Sequence, residues 1–231
     1  MSDVPTPDYA GAYQDLHRRV SALLSDRRDA DLEKVAPATP AWRVRDVVAH
    51  MTGVCDDLMN GNMGGVGSDE WTAAHVAKRR DLPFADVLAE WTERTPTVIS
   101  QMRDLPIDAW GQMCADAATH EQDMRGALGE AGGRDCGAIV IGVDWGFDRI
   151  DERLTNEGKG SLTVNLDGTS REVGSGDPSA SLRASRFEIA RAMTGRRSRT
   201  QMEAFEWDGA FDPDELVLAT FFHPPERDLV E

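Results

Sequence analysis

The spacing of apolar residues changes once along this chain, and that change limits the folds it can adopt. Up to about residue 157 the apolar side chains recur at the three- and four-residue spacing of amphipathic helices. Beyond Gly158-Lys159-Gly160, residues 162–166 alternate with period two, and Asp167-Gly168 is a hairpin turn signal. The sequence therefore predicts an α+β protein, with an N-terminal antiparallel four-helix bundle over residues 1–157 and a small α/β domain over residues 158–231.

Helical spacing predicts five helices in the first part. They cover Tyr9–Ser25, a stretch from just after Trp42 to Leu58, Pro83–Arg103, Pro106 to near Gly129 or Gly132-Gly133, and about Ala138–Leu154. Four glycines between Asn60 and Asp69 predict a flexible loop there. In the second part a capping box at Ser185-x-x-Glu188 predicts a helix over Phe187–Met193, and the apolar run Leu216–Phe222 predicts a strand.

Composition narrows the class of function. The chain has 231 residues and a formal net charge of −16, from 41 acidic and 25 basic side chains. A field of this sign repels phosphate backbones, so we expect no nucleic-acid partner. There is no secretory signal, no apolar run long enough to span a bilayer and no metal-type spacing among the three cysteines, so we expect a cytoplasmic protein with reduced thiols and no membrane contact.

Three side chains in the first part could share a metal ion. Asp116 and His120 are four residues apart on one predicted helix and so lie on the same face, while His50 interrupts the apolar stripe of another helix. Imidazole and carboxylate ligands suit a divalent cation such as zinc, and three protein ligands leave a position open for water or substrate. Asp123 is a candidate acceptor that orients a ligand ring. The alternative is that the pair arises by chance and that His50 is an ordinary core histidine. We interpret His75, near the start of the third predicted helix or in the loop before it, as a residue with no metal-binding role.

Three longer runs carry a resemblance to a known family. Residues 42–51 (WRVRDVVAHM) resemble the W-x-V-x-D-V-V-A-H-L signature of the mycothiol-dependent maleylpyruvate isomerase family. Residues 120–129 (HEQDMRGALG) are similar to its H-x-x-D-[IL]-R-x-A-L-G signature. Residues 187–198 (FEIARAMTGRRS) resemble its F-E-L-x-R-A-L-x-G-R-R-S segment, and the three occur in the family's order.

The resemblance implies a DinB-like metal-binding helix bundle followed by a small α/β domain. It implies zinc or a similar divalent ion bound by His50, Asp116 and His120, with Asp116 in the place of the family's usual glutamate. It also implies mycothiol as cosubstrate, whose metal-bound thiolate attacks a small electrophile. In the isomerase the thiolate adds to a cis double bond, the adduct rotates and elimination gives the trans product; in related S-transferases the thiolate displaces a leaving group.

Substrate contacts are less defined in the sequence. Arg196 and Arg197 follow a predicted helix end and could bind a substrate carboxylate bidentately, or could be surface charges favoured by the helix dipole. Arg79 and Arg80 are a weaker alternative for the same role. We therefore expect a low-molecular-weight thiol and a small electrophile as partners, and a monomer or homodimer. Two other functions stay open at this stage: a non-catalytic metal- or ligand-binding protein, and a metal hydrolase that needs no thiol.

Overall fold

The computed structural model describes residues 6–105, 107–218 and 222–231. The chain divides into two compact units. One consists of Met1–Trp110, His120–Gly133 and Glu231, and the other of Gly111–Thr119 and Arg134–Val230. Compact units are not in themselves independently folding domains, so the domain boundary expected at residue 157 stays a prediction.

The first unit is mainly helical, as the apolar spacing predicted. Its elements are α1 (Tyr9–Leu24), α2 (Asp29–Leu32), β1 (Val35–Ala36), β2 (Thr39–Arg43), α3 (Val44–Asn60), α4 (Asp69–Arg79) and α5 (Phe84–Asp104). A further helix, α6 (Ala109–Leu128), contributes residues to both units. The predicted start of this helix at Pro106 lies outside the described residues.

Packing in the first unit follows from one apolar stripe on each long helix. α5 packs against α1 and α3, and α4 packs against α3. Trp91 of α5 is fully buried, and its indole N–H donates to the Tyr13 hydroxyl of α1 at 3.1 Å. Tyr13 in turn lies 3.2 Å from the thiol of Cys55 on α3, so the polar atoms inside this apolar core are paired with one another.

The second unit combines helices with a four-stranded sheet. Its elements are α7 (Gly137–Glu157), β3 (Ser161–Leu166), β4 (Thr169–Gly174), β5 (Pro178–Ala184), α8 (Arg186–Met193), α9 (Arg199–Glu203), β6 (Glu206–Gly209) and a 3-10 turn (Pro213–Leu216). The sheet order is β4-β3-β5-β6; β3 pairs antiparallel with β4 and parallel with β5, and β6 pairs antiparallel with β5. The predicted hairpin is present, with Asp167 and Gly168 both at positive φ in its turn. α8 begins at Arg186, one residue before the predicted start, because the Ser185 side chain accepts from the Glu188 amide.

The strand predicted over Leu216–Phe222 is wrong for its first three residues and for Phe222. Leu216 ends the 3-10 turn, and Val217 and Leu218 are not in a strand. Leu216 and Val217 are nevertheless buried, so their apolar character reflects core packing rather than sheet pairing. Residues 219–221 of this prediction lie outside the described part of the chain.

None of the helices in the described residues combines the length and the apolar character needed to cross a bilayer. The cytoplasmic location and the monomeric or homodimeric state stay predictions.

Candidate metal centre

The position of His50 is set at the start of α3. The Asp46 carboxylate accepts hydrogen bonds from the Arg43 backbone N–H at 2.9 Å and from the Arg43 guanidinium at 2.8 Å, which fixes the first turn of the helix. His50 follows Asp46 by four residues and is therefore on the same face one turn later. Its side chain is 2% exposed. The first of the three sequence runs thus contains both the residue that fixes the helix start and the imidazole placed by it.

Helix α6 brings the other two predicted ligands together with His50. Asp116 and His120 are one turn apart on α6; His120 is 5% exposed and Asp116 half-buried. Ligand atoms of His50, Asp116 and His120 all lie within 4.8 Å of one another. The two imidazole rings have centroids 5.0 Å apart and are inclined at 76°. Two nitrogen donors and one carboxylate, mostly buried, make a donor set of the kind that binds a divalent cation with an open coordination position.

Two other carboxylates of α6, Asp123 and Glu121, contact neighbouring side chains beside the cluster. The Asp123 carboxylate is fully buried and lies 3.1 Å from Nδ1 of His120. Because an ionised carboxylate only accepts, this contact requires a proton on Nδ1, and in the neutral imidazole Nε2 of His120 is then the lone-pair nitrogen. Glu121 accepts from Arg19 of α1 at 2.7 Å and from Arg125 at 3.1 Å. Glu121 is therefore bound in an ion pair on another face of α6.

An aromatic side chain lies against both histidines. The ring of Trp42, at the end of β2, is 5.0 Å from the ring of His50 and 5.6 Å from the ring of His120, measured between centroids. Trp42 is the first residue of the first sequence run. Its indole ring therefore supplies an apolar wall beside the cluster, which lowers the local dielectric and strengthens charge interactions there.

The sequence predicted His75 near the start of the third predicted helix or in the loop before it, and that location is wrong. His75 is on α4, 4% exposed, and its Nδ1 lies 3.2 Å from Nδ1 of His50. The helix could have been found from its termini. Ser68 is an N-cap residue, acidic residues follow it in the first turn, and basic residues occupy the last turn.

The predicted substrate-binding arginines lie in the second unit and are mostly buried. Arg197, 4% exposed, donates to both carboxylate oxygens of Glu188, at 2.6 and 3.0 Å. Arg196, 6% exposed, donates to the Thr194 carbonyl at 2.5 Å, and its guanidinium lies 5.5 Å from the centre of the Phe222 ring. These contacts hold both guanidinium groups in defined positions. Their role toward a substrate stays a prediction.

Arg79, one of the two weaker alternatives, is 2% exposed and pairs with Glu90 at 2.7 Å. It therefore links α4 to α5 through an ion pair. Arg80 directly follows this helix and is exposed.

Comparisons with known proteins agree on one family. A family model described as the mycothiol maleylpyruvate isomerase N-terminal domain matches residues 13–131. A crystal structure of a histidine-to-alanine mutant of the mycothiol-dependent maleylpyruvate isomerase is similar with a TM-score of 0.57 and 15% identity, covering 90% of this chain and 95% of the other. A second crystal structure of that isomerase has a TM-score of 0.55 and 15% identity, covering 84% and 90% of the two chains. At this identity the two structures establish the fold. No curated protein matches the sequence.

Proposed function

Because the chain belongs to the mycothiol-dependent maleylpyruvate isomerase family, we propose that it is an enzyme that uses mycothiol to attack a small electrophilic substrate, by isomerisation or by S-transfer. The observation that supports this most directly is the buried cluster of His50, Asp116 and His120, whose ligand atoms lie within 4.8 Å of one another. A closed structural site would have a fourth protein ligand, whereas three donors leave room for an incoming thiol.

We propose that these three residues hold one divalent cation, with zinc as the best fit to two imidazoles and a carboxylate. When bound, such a cation lowers the pKa of a coordinated thiol, so that the thiol is a nucleophilic thiolate at neutral pH. Asp116 is one methylene shorter than the glutamate usual in the family. Since it is placed one turn before His120 on the same rigid helix, the shorter side chain still lies within reach of both imidazoles.

The chain's own residues prepare the site. Asp123 holds His120 with Nε2 as the lone-pair nitrogen, and Trp42 covers one side of both imidazoles. An apolar wall beside the cluster excludes water from a reactive thiolate and so favours attack on the electrophile.

The helices of the first unit also support the finer architecture implied by the family. We propose that α1, α3, α5 and α6 form the DinB-like four-helix bundle. α5 packs on α1 and α3, and Arg19 of α1 is bound to Glu121 of α6. The core between facing helices of such a bundle is a usual place for a metal site.

For the substrate we propose a small acidic electrophile bound through Arg196 or Arg197. A guanidinium binds a carboxylate bidentately, and both side chains are pre-ordered by contacts within their own unit. Pre-ordering reduces the entropy lost on binding, so the two arginines suit this role although Arg197 already contacts Glu188.

The test combines metal analysis with product analysis. The purified protein is analysed for bound metal, then incubated with mycothiol and monochlorobimane or maleylpyruvate, and the products are identified by mass spectrometry. We expect about one divalent ion per chain and thiol-dependent product, both lost in His50→Ala and His120→Ala. His223→Ala removes an exposed imidazole and is the matched control, which should retain both. Metal without any thiol-dependent product, neither a conjugate nor an isomerised substrate, would favour a binding protein, and product without thiol would favour a hydrolase; either would overturn the proposal.

A further inference from the structure

A chain of three polar side chains, two buried and one partly buried, links the metal centre to the neighbouring helix. Nδ1 of His50 on α3 lies 3.2 Å from Nδ1 of His75 on α4. Nε2 of His75 lies 2.9 Å from Oδ2 of Asp57, which is again on α3. The side chains of His75 and Asp57 are 5% and 16% exposed. The chain therefore runs from α3 to α4 and back, largely shielded from solvent.

The direction of each hydrogen bond follows from the carboxylate at its end. An ionised Asp57 can only accept, so Nε2 of His75 carries a proton and donates it. A neutral imidazole has one N–H, so Nδ1 of His75 is then an acceptor, and the contact to His50 requires a proton on Nδ1 of His50. Nε2 of His50 is consequently the lone-pair nitrogen. That is the tautomer needed by a histidine that ligates a metal through Nε2.

Packing fixes His75 in the position that this chain requires. Gly53 is one turn after His50 on α3, and a Cβ at position 53 would lie 2.2 Å from Cγ of His75. Only glycine allows α4 to approach α3 this closely. On its other side the His75 ring meets Trp71 edge-on, with ring centroids 4.2 Å apart. The ring is therefore held between the α3 backbone and an indole.

We propose that His75 and Asp57 are positioning residues, which orient His50 and fix its tautomer for metal binding. This inference rests on the metal site proposed above. His120 is oriented directly by the carboxylate of Asp123. His50 is oriented indirectly, through His75 on a second helix and the carboxylate of Asp57. The indirect arrangement makes the metal affinity depend on how α4 docks, and α4 follows the glycine-rich segment that ends at Ser68.

The test measures zinc affinity, which does not depend on turnover. Apo-protein is titrated with Zn²⁺ in competition with a chromophoric chelator, for wild type and for His75→Phe, His75→Gln and Asp57→Asn. Loss of a partner that orients a metal-binding histidine weakens metal binding by about 10- to 100-fold, and we expect this for His75→Phe and Asp57→Asn. His75→Gln should recover most of the affinity, because its amide oxygen accepts from His50 and its amide N–H donates to Asp57.

The matched control is Asp56→Asn. Asp56 is beside Asp57 on α3 and accepts from Lys78 and Arg94, but has no contact with His75 among the described interactions. This variant loosens the same helix junction, so its zinc affinity should stay within about threefold of wild type. Far-UV circular dichroism and thermal unfolding of each apo-variant establish that it is folded. The visible spectrum of the Co²⁺-loaded protein reports the ligand geometry and should change in His75→Phe but not in Asp56→Asn.

The outcomes separate this inference from the proposed function. Unchanged zinc affinity in folded His75→Phe, while His50→Ala loses zinc, would overturn the positioning role and leave the metal site intact. Equal losses in Asp56→Asn and Asp57→Asn would assign the effect to helix packing and overturn it as well. A wild type that binds no divalent ion, or a His50→Ala variant with normal metal content, would refute the metal site itself and the positioning role with it. If His75→Phe does not fold, a wild-type affinity in folded Asp57→Asn would still refute the proposal.

Discussion

Replacing Gly53 by alanine should separate protein stability from metal affinity. The added Cβ would lie 2.2 Å from Cγ and 2.5 Å from Cβ of His75, so the ring and its backbone must retreat by about 1 Å to reach ordinary contact distance. Overpacking of this kind costs about 1–3 kcal/mol. Alanine within a helix recovers about 1 kcal/mol relative to glycine. The free energy of unfolding should therefore fall by no more than about 2 kcal/mol.

Metal binding should respond more strongly to the same change. The hydrogen bond between His75 and His50 is 3.2 Å long, and such bonds weaken steeply once the atoms separate beyond about 3.5 Å. A retreat of about 1 Å is enough to break it, so zinc affinity should fall about tenfold or more. Urea unfolding of the apo-protein gives the first quantity and chelator competition the second.

Gly64→Ala is the control for this substitution, because a Cβ at position 64 meets no atom within 4 Å and its φ is not positive. It should change neither quantity appreciably. If Gly53→Ala bound zinc with wild-type affinity, the close approach of α4 would have no part in orienting His50, and the reasoning would be wrong.

Three further predictions concern other parts of the chain. Glu121→Gln leaves Arg19 and Arg125 without their buried carboxylate and should lower stability by about 3 kcal/mol in urea unfolding, whereas a loss under 1 kcal/mol would contradict the buried pair. Burial raises the pKa of the Cys55 thiol to about 11. The thiol therefore loses its proton at a lower pH in the unfolded chain than in the folded protein, and stability falls as pH rises above 9. Between pH 8 and 10 the wild type should lose about 1 kcal/mol more than Cys55→Ala, and identical pH profiles would refute this. Arg197→Ala should raise KM for an acidic electrophile at least tenfold, and an unchanged KM and kcat would rule out the clamp.

Helix positions were predictable where an amphipathic stripe was long. The spacing placed α1, α3, α5 and α6 within a few residues of their observed bounds, because packing of one apolar face largely decides helix formation at that length. α4 was missed since only two of its apolar or aromatic positions, Trp71 and Val76, lie on the buried side, and its polar residues resemble a loop. The signals for this helix are at its termini, which have a serine N-cap and charged residues that complement the helix dipole.

The candidate site could likewise be predicted only in part from residue spacing. His50, Asp116 and His120 could be grouped from spacing and resemblance because two of them share a helix and all three are metal-ligand residue types. His75 and Asp57 could not, since their contact with His50 depends on how α4 docks on α3, and sequence spacing within one helix does not give docking between helices. Strand β5 was also missed, although its apolar residues Ala180 and Leu182 alternate with polar ones and are buried. It pairs in parallel with β3, its direct neighbour in the sheet. Spacing within one strand does not give this pairing between strands.

The arrangement of functional groups on α6 restricts how this sequence can vary in length. Asp116, His120 and Asp123 lie within two turns of one helix, and their common orientation depends on an unbroken 3.6-residue repeat. Insertion of a single residue between Asp116 and His120 would turn every later side chain by about 100° and carry the imidazole and its carboxylate away together. Homologues that keep the chemistry should therefore show no insertions or deletions within this segment, and should accumulate them in loops such as the one before Ser68. An alignment gap between Asp116 and Asp123 would be a direct sign that a relative has lost the site.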